Sequence, residues 1–196
     1  MTAPTSLNGW PVLAPGSKLL ATKAIPGVNR RLTMRRDVLP LFLALAHDYD
    51  DWVRSIDTGA RIDEGGYSYR EARAADDWSN HASGTAMDLN WSEEGALNGA
   101  WGKAFFAKPA NQADIQQILK VYKVVFWGGA WNRLKDYMHW EIMPSVSLAQ
   151  VKARITFLGI DANGVRHNDW RGKPLKVPRR DAESPSFQRA ANATRR

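Results

Sequence analysis

The chain of 196 residues contains no cysteine, and it has only four histidines. Without cysteine, disulfide bonds and thiolate metal sites are excluded, so any bound metal ion would be held by His, Asp or Glu. Long apolar runs are also missing: the longest, Leu39–Ala46, contains Pro40 and is far too short to span a bilayer. The length is typical of one domain, and the hydrophobic content of 44% is ordinary for a globular protein.

A secretion signal is not readable at the start of the chain, since residues 1–5 provide neither a basic region nor an apolar stretch. We therefore expect the protein to be made in the cytoplasm without a signal peptide. Any substrate outside the membrane would then require a separate route of delivery.

Excess positive charge is concentrated at one end of the chain. The net charge is +7, and residues 171–196 contribute +6 of it through eight Lys or Arg and two Asp or Glu. Such a tail can bind nucleic acid, an anionic polymer or an anionic membrane, or it can be solvated and irregular. Phe187 is its only aromatic residue and it contains no recognised motif, so we expect no nucleic-acid partner.

Helix and strand patterns are mixed without a regular alternation, which favours an α+β fold with a small antiparallel sheet and flanking helices. Apolar residues recur at helical spacing from Val38 to Ile56, after a candidate cap at Asp37. Asn111 and Ser147 are candidate caps of two further helices.

Short strands are predicted near Gly66–Arg70 and at Ala86–Asn90, Val124–Trp127 and Met138–Met143. The whole pattern divides the chain into three regions, which are an irregular N-terminal segment that packs on the domain (1–34), a central domain (35–160) and a basic, largely irregular C-terminal tail (161–196).

Two of the four histidines lie in segments that are rich in metal-binding residue types. In the first segment, His81 and Asp88 flank a short stretch of small residues in which Gly84 permits a tight bend. The chain can therefore fold back and direct an imidazole and a carboxylate, both good zinc ligands, to one point.

The second segment contains Asp136, His139 and Glu141. If Met138–Met143 is a strand, His139 and Glu141 lie on the same face of it. Asp136 would then stand at the entrance of the strand, where it can place a carboxylate beside a metal ion without binding it.

Together these segments supply the parts of a hydrolytic zinc site. A catalytic zinc ion needs three protein ligands and an open position for water, whose pKa it lowers while it polarises a carbonyl group. A neighbouring carboxylate can take the proton of that water and pass it to a leaving amine. The alternative is that His81 is an ordinary loop residue and His139 is a hydrogen-bonded strand residue. Spacing alone does not decide between a zinc site and this alternative, because the His-Glu-x-x-His signature is missing.

The two segments resemble the motifs of peptidase family M15, the LAS-type D-alanyl-D-alanine carboxypeptidases and L-alanyl-D-glutamate endopeptidases. The first family motif, Ser-x-His-x-x-Gly-x-Ala-x-Asp, is matched by five residues, which are Ser79, His81, Gly84, Ala86 and Asp88. The second, acid-x-x-His, is matched by Asp136 and His139. The phrases at Gly65–Arg70 and Trp127–Trp131 are similar to the peptidase domains of actinobacteriophage endolysins, and the resemblance covers roughly Gly27 to Pro144.

This resemblance implies a LAS/hedgehog-like zinc peptidase fold, with the catalytic domain at 35–160. It implies one catalytic zinc ion bound by His81, Asp88 and His139, and Asp136 as the general base and acid. Arg70 would steady the substrate carbonyl as it becomes an oxyanion, although it can also be read as an ordinary surface arginine.

Ser79, Glu141 and Trp140 are candidates for supporting the ligands or contacting the substrate. Ser79 would hydrogen-bond a ligand or the substrate, and Glu141 would either orient a histidine or face solvent. Trp140 belongs to a group of tryptophans that would either wall a substrate groove or pack in the core. We expect His47 to pair with Asp51 on the surface of the first helix, outside the site.

The resemblance implies an endolysin-type peptidase that hydrolyses the L-Ala-D-Glu bond, or a related bond, in the peptide stem of bacterial peptidoglycan. It would act as a monomer and leave the host cytoplasm by a holin-type route, and its basic tail would contact anionic wall polymers. The alternatives are a D-alanyl-D-alanine carboxypeptidase and a non-catalytic, zinc-containing wall-binding module.

Overall fold

Two small antiparallel sheets and their flanking helices form the fold, which confirms the α+β prediction. The computed structural model describes residues 4–56, 62–73, 76–94 and 98–175. In chain order the elements are β1 (Leu20–Ala24), β2 (Arg31–Arg35), α1 (Leu39–Trp52), β3 (Ala86–Asp88), α2 (Trp91–Glu94), α3 (Ala100–Phe106), α4 (Pro109–Tyr122), β4 (Val125–Trp127), β5 (His139–Ile142) and α5 (Leu148–Phe157). Among the described residues, no helix combines the length and apolarity that a membrane crossing requires.

Helix α1 lies at the centre of the hydrophobic core. Leu41, Phe42 and Leu45 are fully buried in it, and apolar residues surround most of its circumference, as expected of a core helix. Pro40 is accommodated in the first turn. The predicted cap was wrong: Val38 occupies the cap position, and the carboxylate of Asp37 instead lies 3.5 Å from the ammonium group of Lys152.

A three-stranded sheet in the order β3-β5-β4 carries both sequence motifs. In the antiparallel register Asp88 lies opposite His139, and Ala86 lies opposite Glu141. Because side chains alternate between the faces of a sheet, this register gathers the polar motif residues on one face. Met87 and Trp140 point to the other face, which packs on the core.

The expectation of an irregular segment before residue 35 was wrong, because this segment contains the hairpin of β1 and β2. Leu20 pairs with Arg35 and Ala24 pairs with Arg31. Leu32 and Met34 are fully buried and alternate with exposed or half-buried neighbours, which is the pattern of a strand with one face on the core.

The strand expected near Gly66–Arg70 was also wrong; the structure has only single bridges there, from Gly65 to Asp88 and from Glu71 to Trp78. A continuous strand is not formed, but the backbone packs closely: a Cβ atom on Gly66 would lie 2.4 Å from the carbonyl oxygen of Thr33.

The helix predictions have mixed outcomes. Helix α4 begins at Pro109, so Asn111 lies inside the helix and is not its cap. The side-chain amide of Asn111 instead donates to the Phe105 carbonyl of the preceding helix α3, a helix that the sequence patterns did not predict. Ser147 does cap α5, and its hydroxyl and the side chain of Gln150 form a reciprocal capping box.

Residues 161–175 contain turns and isolated bridges but no helix or strand, as expected of a largely irregular region, yet they pack against the domain and do not form a separate tail. One of their contacts with the core is Arg166, which is 2% exposed and whose Nε lies 3.1 Å from the Asp48 carboxylate in α1. The rest of the predicted tail, 176–196, lies outside the described residues.

Candidate metal centre

Three side chains from the two motifs converge at one edge of the sheet. His81 Nε2 lies 3.3 Å from Asp88 Oδ2, and His139 Nδ1 lies 3.0 Å from Asp88 Oδ1. The two imidazole nitrogens, His81 Nε2 and His139 Nδ1, are 3.2 Å apart. One donor atom from each residue lies within 4.8 Å of the others, so the three can close around a single cation.

A tight turn before β3 places His81 beside Asp88. Gly84 adopts a φ of +68°, and a Cβ atom there would lie 2.5 Å from the backbone nitrogen of Arg35. Glycine is therefore required at this position both for the backbone conformation and for the close approach of β2. The turn also holds His81 in place through the bond from the Gly84 backbone N–H to the His81 carbonyl.

The partners of each imidazole fix which nitrogen faces the cluster. His81 Nδ1 lies 2.6 Å from the Gly66 carbonyl oxygen, so this nitrogen carries the donated proton and leaves the Nε2 lone pair towards Asp88. His139 Nε2 lies 2.9 Å from the Glu141 carboxylate and likewise donates to it, which leaves Nδ1 for the cluster. Both histidines are thus oriented from behind, as metal-binding histidines usually are.

The same contacts shift the acid–base properties of the cluster. Burial by itself would raise the pKa of Asp88, but His81 and the hydrogen bonds with both histidines outweigh it and hold that pKa well below its ordinary value. Burial disfavours a charge on His139, yet its hydrogen bonds with Asp88 and Glu141 prevail and raise the pKa of His139 to about 10. The carboxylates of Asp88 and Glu141 therefore favour positive charge at this site, either as a proton on His139 or as a bound cation.

Asp136 lies in the same cavity but outside the group of three ligands. It is 8% exposed, and its Oδ1 is buried without a hydrogen-bond partner among the described residues. Burial raises the pKa of Asp136, although the nearby His139 opposes this shift. Its loop is held against a glycine: a Cβ atom on Gly128 would lie 2.5 Å from the Asp136 carbonyl oxygen.

A cavity of about 510 Å³ opens over these residues. Arg70 lines it and donates from Nη1 to the Glu71 carbonyl at 3.2 Å. Ser79 also lines it, and its hydroxyl accepts from the His81 backbone N–H at 3.3 Å, so it shapes the turn that carries His81. The Trp131 ring stands 5.2 Å from the His139 ring and forms another part of the wall.

Two sequence interpretations need correction: one concerns Trp140 at this site, and the other concerns the position of the His47–Asp51 pair outside it. Trp140 does not contact the cavity; it is fully buried in the core, where its ring lies 6.0 Å from that of Tyr49. His47 does lie near Asp51, at 3.6 Å, but the pair is buried and not on the surface.

A buried chain of polar side chains supports the centre from behind, and the sequence did not reveal it. The side-chain amide of Asn80 donates to the Glu141 carboxylate, which in turn accepts from His139. The Asn80 side-chain oxygen accepts from the backbone N–H of Asn8 at 2.8 Å, and Asn8 also donates to the Ile142 carbonyl at 3.0 Å. The N-terminal segment therefore contributes to the fixed position of a candidate ligand.

Comparison with known proteins selects the same part of the chain. A family model described as D-alanyl-D-alanine carboxypeptidase, from peptidase family M15, matches residues 72–142, about a third of the chain. This match spans both motifs and confirms the resemblance to family M15, while the similarity to actinobacteriophage endolysins stays a prediction. No curated protein and no solved structure matches the chain significantly.

Proposed function

We propose that this chain, whose residues 72–142 match peptidase family M15, is a zinc-dependent peptidase that hydrolyses an amide bond in the peptide stem of bacterial peptidoglycan. The observation that carries this proposal is the convergence of His81, Asp88 and His139 beside a buried carboxylate, Asp136, that does not belong to the ligand group. A structural metal site is normally closed by four protein ligands and has no use for such a carboxylate.

The donor set fits zinc. Two imidazole nitrogens and one carboxylate oxygen are presented within 4.8 Å of one another. The other nitrogen of each imidazole is bonded to the Gly66 carbonyl or the Glu141 carboxylate, so the nitrogen that faces the cluster is the one that zinc would bind once it is deprotonated. When bound there, zinc supplies Lewis acidity, which makes water a better nucleophile near neutral pH and polarises the scissile carbonyl.

Asp136 acts as the proton carrier. Asp136 lines a cavity large enough for a substrate, and its buried Oδ1 has no competing partner among the described residues. Its raised pKa suits a group that takes a proton from the attacking water and then delivers it to the leaving amine.

Arg70 provides positive charge on the cavity wall. Negative charge develops on the carbonyl oxygen during hydrolysis, and a guanidinium that is already in place lowers the barrier. Glu141 acts through His139, which it keeps oriented, and Ser79 acts through the turn that holds His81.

Zinc binding is expected to release about one proton at neutral pH, because the pKa of His139 is about 10 in the metal-free chain and its proton must leave. Raising the pH removes that competitor, so the apparent association constant should increase about tenfold per pH unit between roughly pH 6 and 8. Calorimetry in two buffers of different ionisation enthalpy measures the released proton. The exposed His167 offers a control, since His167→Ala should leave the value unchanged, and a release near zero would contradict the expectation.

Asn80→Ala is expected to weaken zinc binding by about 10- to 100-fold, the usual effect of losing a group that orients a metal ligand. The variant removes the donor that fixes the Glu141 carboxylate behind His139. Competition with a chromophoric chelator measures the change. Asn132→Ala is a matched control, because Asn132 is an exposed asparagine on the wall of the same cavity. Equal zinc affinity for both variants would show that Asn80 does not support zinc binding.

The position of the cut bond separates two versions of the function. An endopeptidase, which the endolysin hypothesis requires, would create new internal termini at L-Ala-D-Glu or a related bond. A D-alanyl-D-alanine carboxypeptidase, the activity named by the family model, would release only free D-alanine. A synthetic pentapeptide stem distinguishes them by its products, and we expect internal cleavage.

The biological setting is part of the same proposal. A phage lysin would be held in the host cytoplasm and reach the wall through a holin pore, and the basic residues at 171–196 would retain it on anionic wall polymers. We expect a monomer in solution.

The direct test is a zinc titration of the metal-free protein with purified peptidoglycan as substrate. Release of new amino groups should rise linearly to one equivalent of zinc and then level off. Hydrolysis that is unchanged without metal would contradict zinc dependence, and full zinc binding without hydrolysis would favour the non-catalytic module.

A further inference from the structure

A second groove lies beside the catalytic cavity. It runs between the N-terminal segment Leu7–Pro11 and the loop Pro144–Leu148, and its volume is about 570 Å³. Leu7 and Pro144 line both the groove and the catalytic cavity, so a peptide bound at one can extend directly into the other.

One cation, Arg35, lines this groove. Two of its guanidinium nitrogens, Nε and Nη1, are buried without a hydrogen-bond partner among the described residues. Leaving charged donors unsatisfied in a desolvated position is unfavourable, and most buried donors in proteins have an acceptor. Arg35 as a whole is only half-buried and lines the groove, so an acceptor that the fold does not supply would reach its guanidinium from the groove.

The surroundings hold Arg35 in place without neutralising it. Its backbone N–H donates to the Gly84 carbonyl at 3.0 Å, and its guanidinium lies 5.4 Å from the centre of the Trp10 ring. The nearest acidic residue along the chain, Asp37, is paired with Lys152 at 3.5 Å. Burial lowers the pKa of Arg35, and the charge of Asp37, which raises it, offsets this only in part.

We propose that the Arg35 groove is a substrate subsite that binds a carboxylate of the peptide next to the scissile amide. The proposal rests on the proposed function, because it assigns the groove to the same substrate. Peptide stems carry free carboxylates, and a guanidinium forms its strongest hydrogen bonds with such groups. The apolar walls at Trp10, Val146 and Leu148 suit the aliphatic part of the peptide.

A pair of soluble stem peptides tests the subsite, one with free carboxylates and one in which they are converted to carboxamides. The wild-type protein should favour the free acid by about tenfold in kcat/KM, which is the scale of one charge-assisted contact. Arg35→Gln should abolish this preference through a higher KM for the free acid, with kcat nearly unchanged. Arg36→Gln is the matched control, since Arg36 is the exposed neighbour of Arg35 and should keep the preference.

Each possible result either supports or overturns the Arg35 subsite. Equal kcat/KM of the wild-type protein for the two peptides overturns the subsite, even if Arg35→Gln fails to fold, and so does an Arg35→Gln variant that keeps the preference. If inorganic phosphate inhibits the wild type but not Arg35→Gln, while amidation has no effect, the groove binds a phosphate-bearing polymer instead and the proposal is overturned. If the wild type cleaves neither peptide, the peptidoglycan digest decides the proposed function, and calorimetric binding of the two peptides decides the subsite: tenfold tighter binding of the free acid supports it, and equal binding overturns it.

Discussion

Replacing Asp136 by asparagine is expected to lower kcat on peptidoglycan by about 10²- to 10⁴-fold, the range found when a general acid–base group is lost. The substitution keeps the shape of the side chain but removes its ability to take and deliver a proton. Zinc affinity should change little, because Asp136 is not one of the three residues that converge as ligands. Steady-state rates at saturating substrate, with zinc content measured on the same samples, give the comparison.

The exposed Asp76 offers a control for the loss of one negative charge near the first motif. Asp76→Asn should keep kcat within about twofold of wild type, as expected for a surface charge that takes no part in proton transfer. If Asp136→Asn retains a third or more of the wild-type rate with zinc bound, Asp136 is not the proton carrier and the base must be sought elsewhere in the cavity.

Arg166→Ala is expected to reduce the free energy of unfolding by about 3–5 kcal/mol, because breaking a buried ion pair leaves an uncompensated charge in the core. Arg166 and Asp48 have side chains that are only 1% and 2% exposed, and their charged atoms lie 3.1 Å apart. Tyr122 also donates to the Asp48 carboxylate at 2.7 Å, but a neutral phenol does not replace the lost cation. Urea unfolding of the zinc-free proteins measures the difference.

Arg171 provides the matched control in the same segment. It forms a similar pair with Asp169 at 3.0 Å, but its side chain is 57% exposed. Arg171→Ala should therefore cost less than about 1 kcal/mol. If the two variants lose equal stability, the segment 161–175 is not anchored through its buried pair.

The three residues that converge as candidate metal ligands could be selected from the sequence because each motif is local. His81 and Asp88 are joined by a short turn, and His139 stands opposite Asp88 in the sheet register. Local spacing and residue chemistry contain most of this information. The orientation of the histidines was only partly accessible: Glu141 follows from strand periodicity, whereas Asn80 and Gly66 act through the fold.

The Trp140 prediction was wrong for a reason that the sequence itself contained. His139 and Glu141 share one face of the strand, so the residue between them must point to the opposite face. That face packs on α1 and the core. An aromatic residue within a motif of candidate site residues is therefore not by itself a substrate contact.

The contributions of distant segments could not be predicted, since they depend on tertiary packing. Asn8 contacts Asn80 across 72 positions of the chain, and Arg166 contacts Asp48 across 118. In the sequence, Asn8 and Arg166 lie in polar or proline-containing stretches that are typical of surface segments. Their importance is visible only once the N-terminal segment and residues 161–175 are seen packed against the domain.

A digest of purified peptidoglycan by the zinc-loaded protein tests the proposed peptidase activity, with new termini analysed by mass spectrometry and Asp136→Asn in parallel at equal zinc content. We expect new amino and carboxyl termini at one bond of the peptide stem in the wild-type digest, and their loss in the variant. An unchanged wall after treatment with the zinc-loaded wild type would contradict the proposed activity.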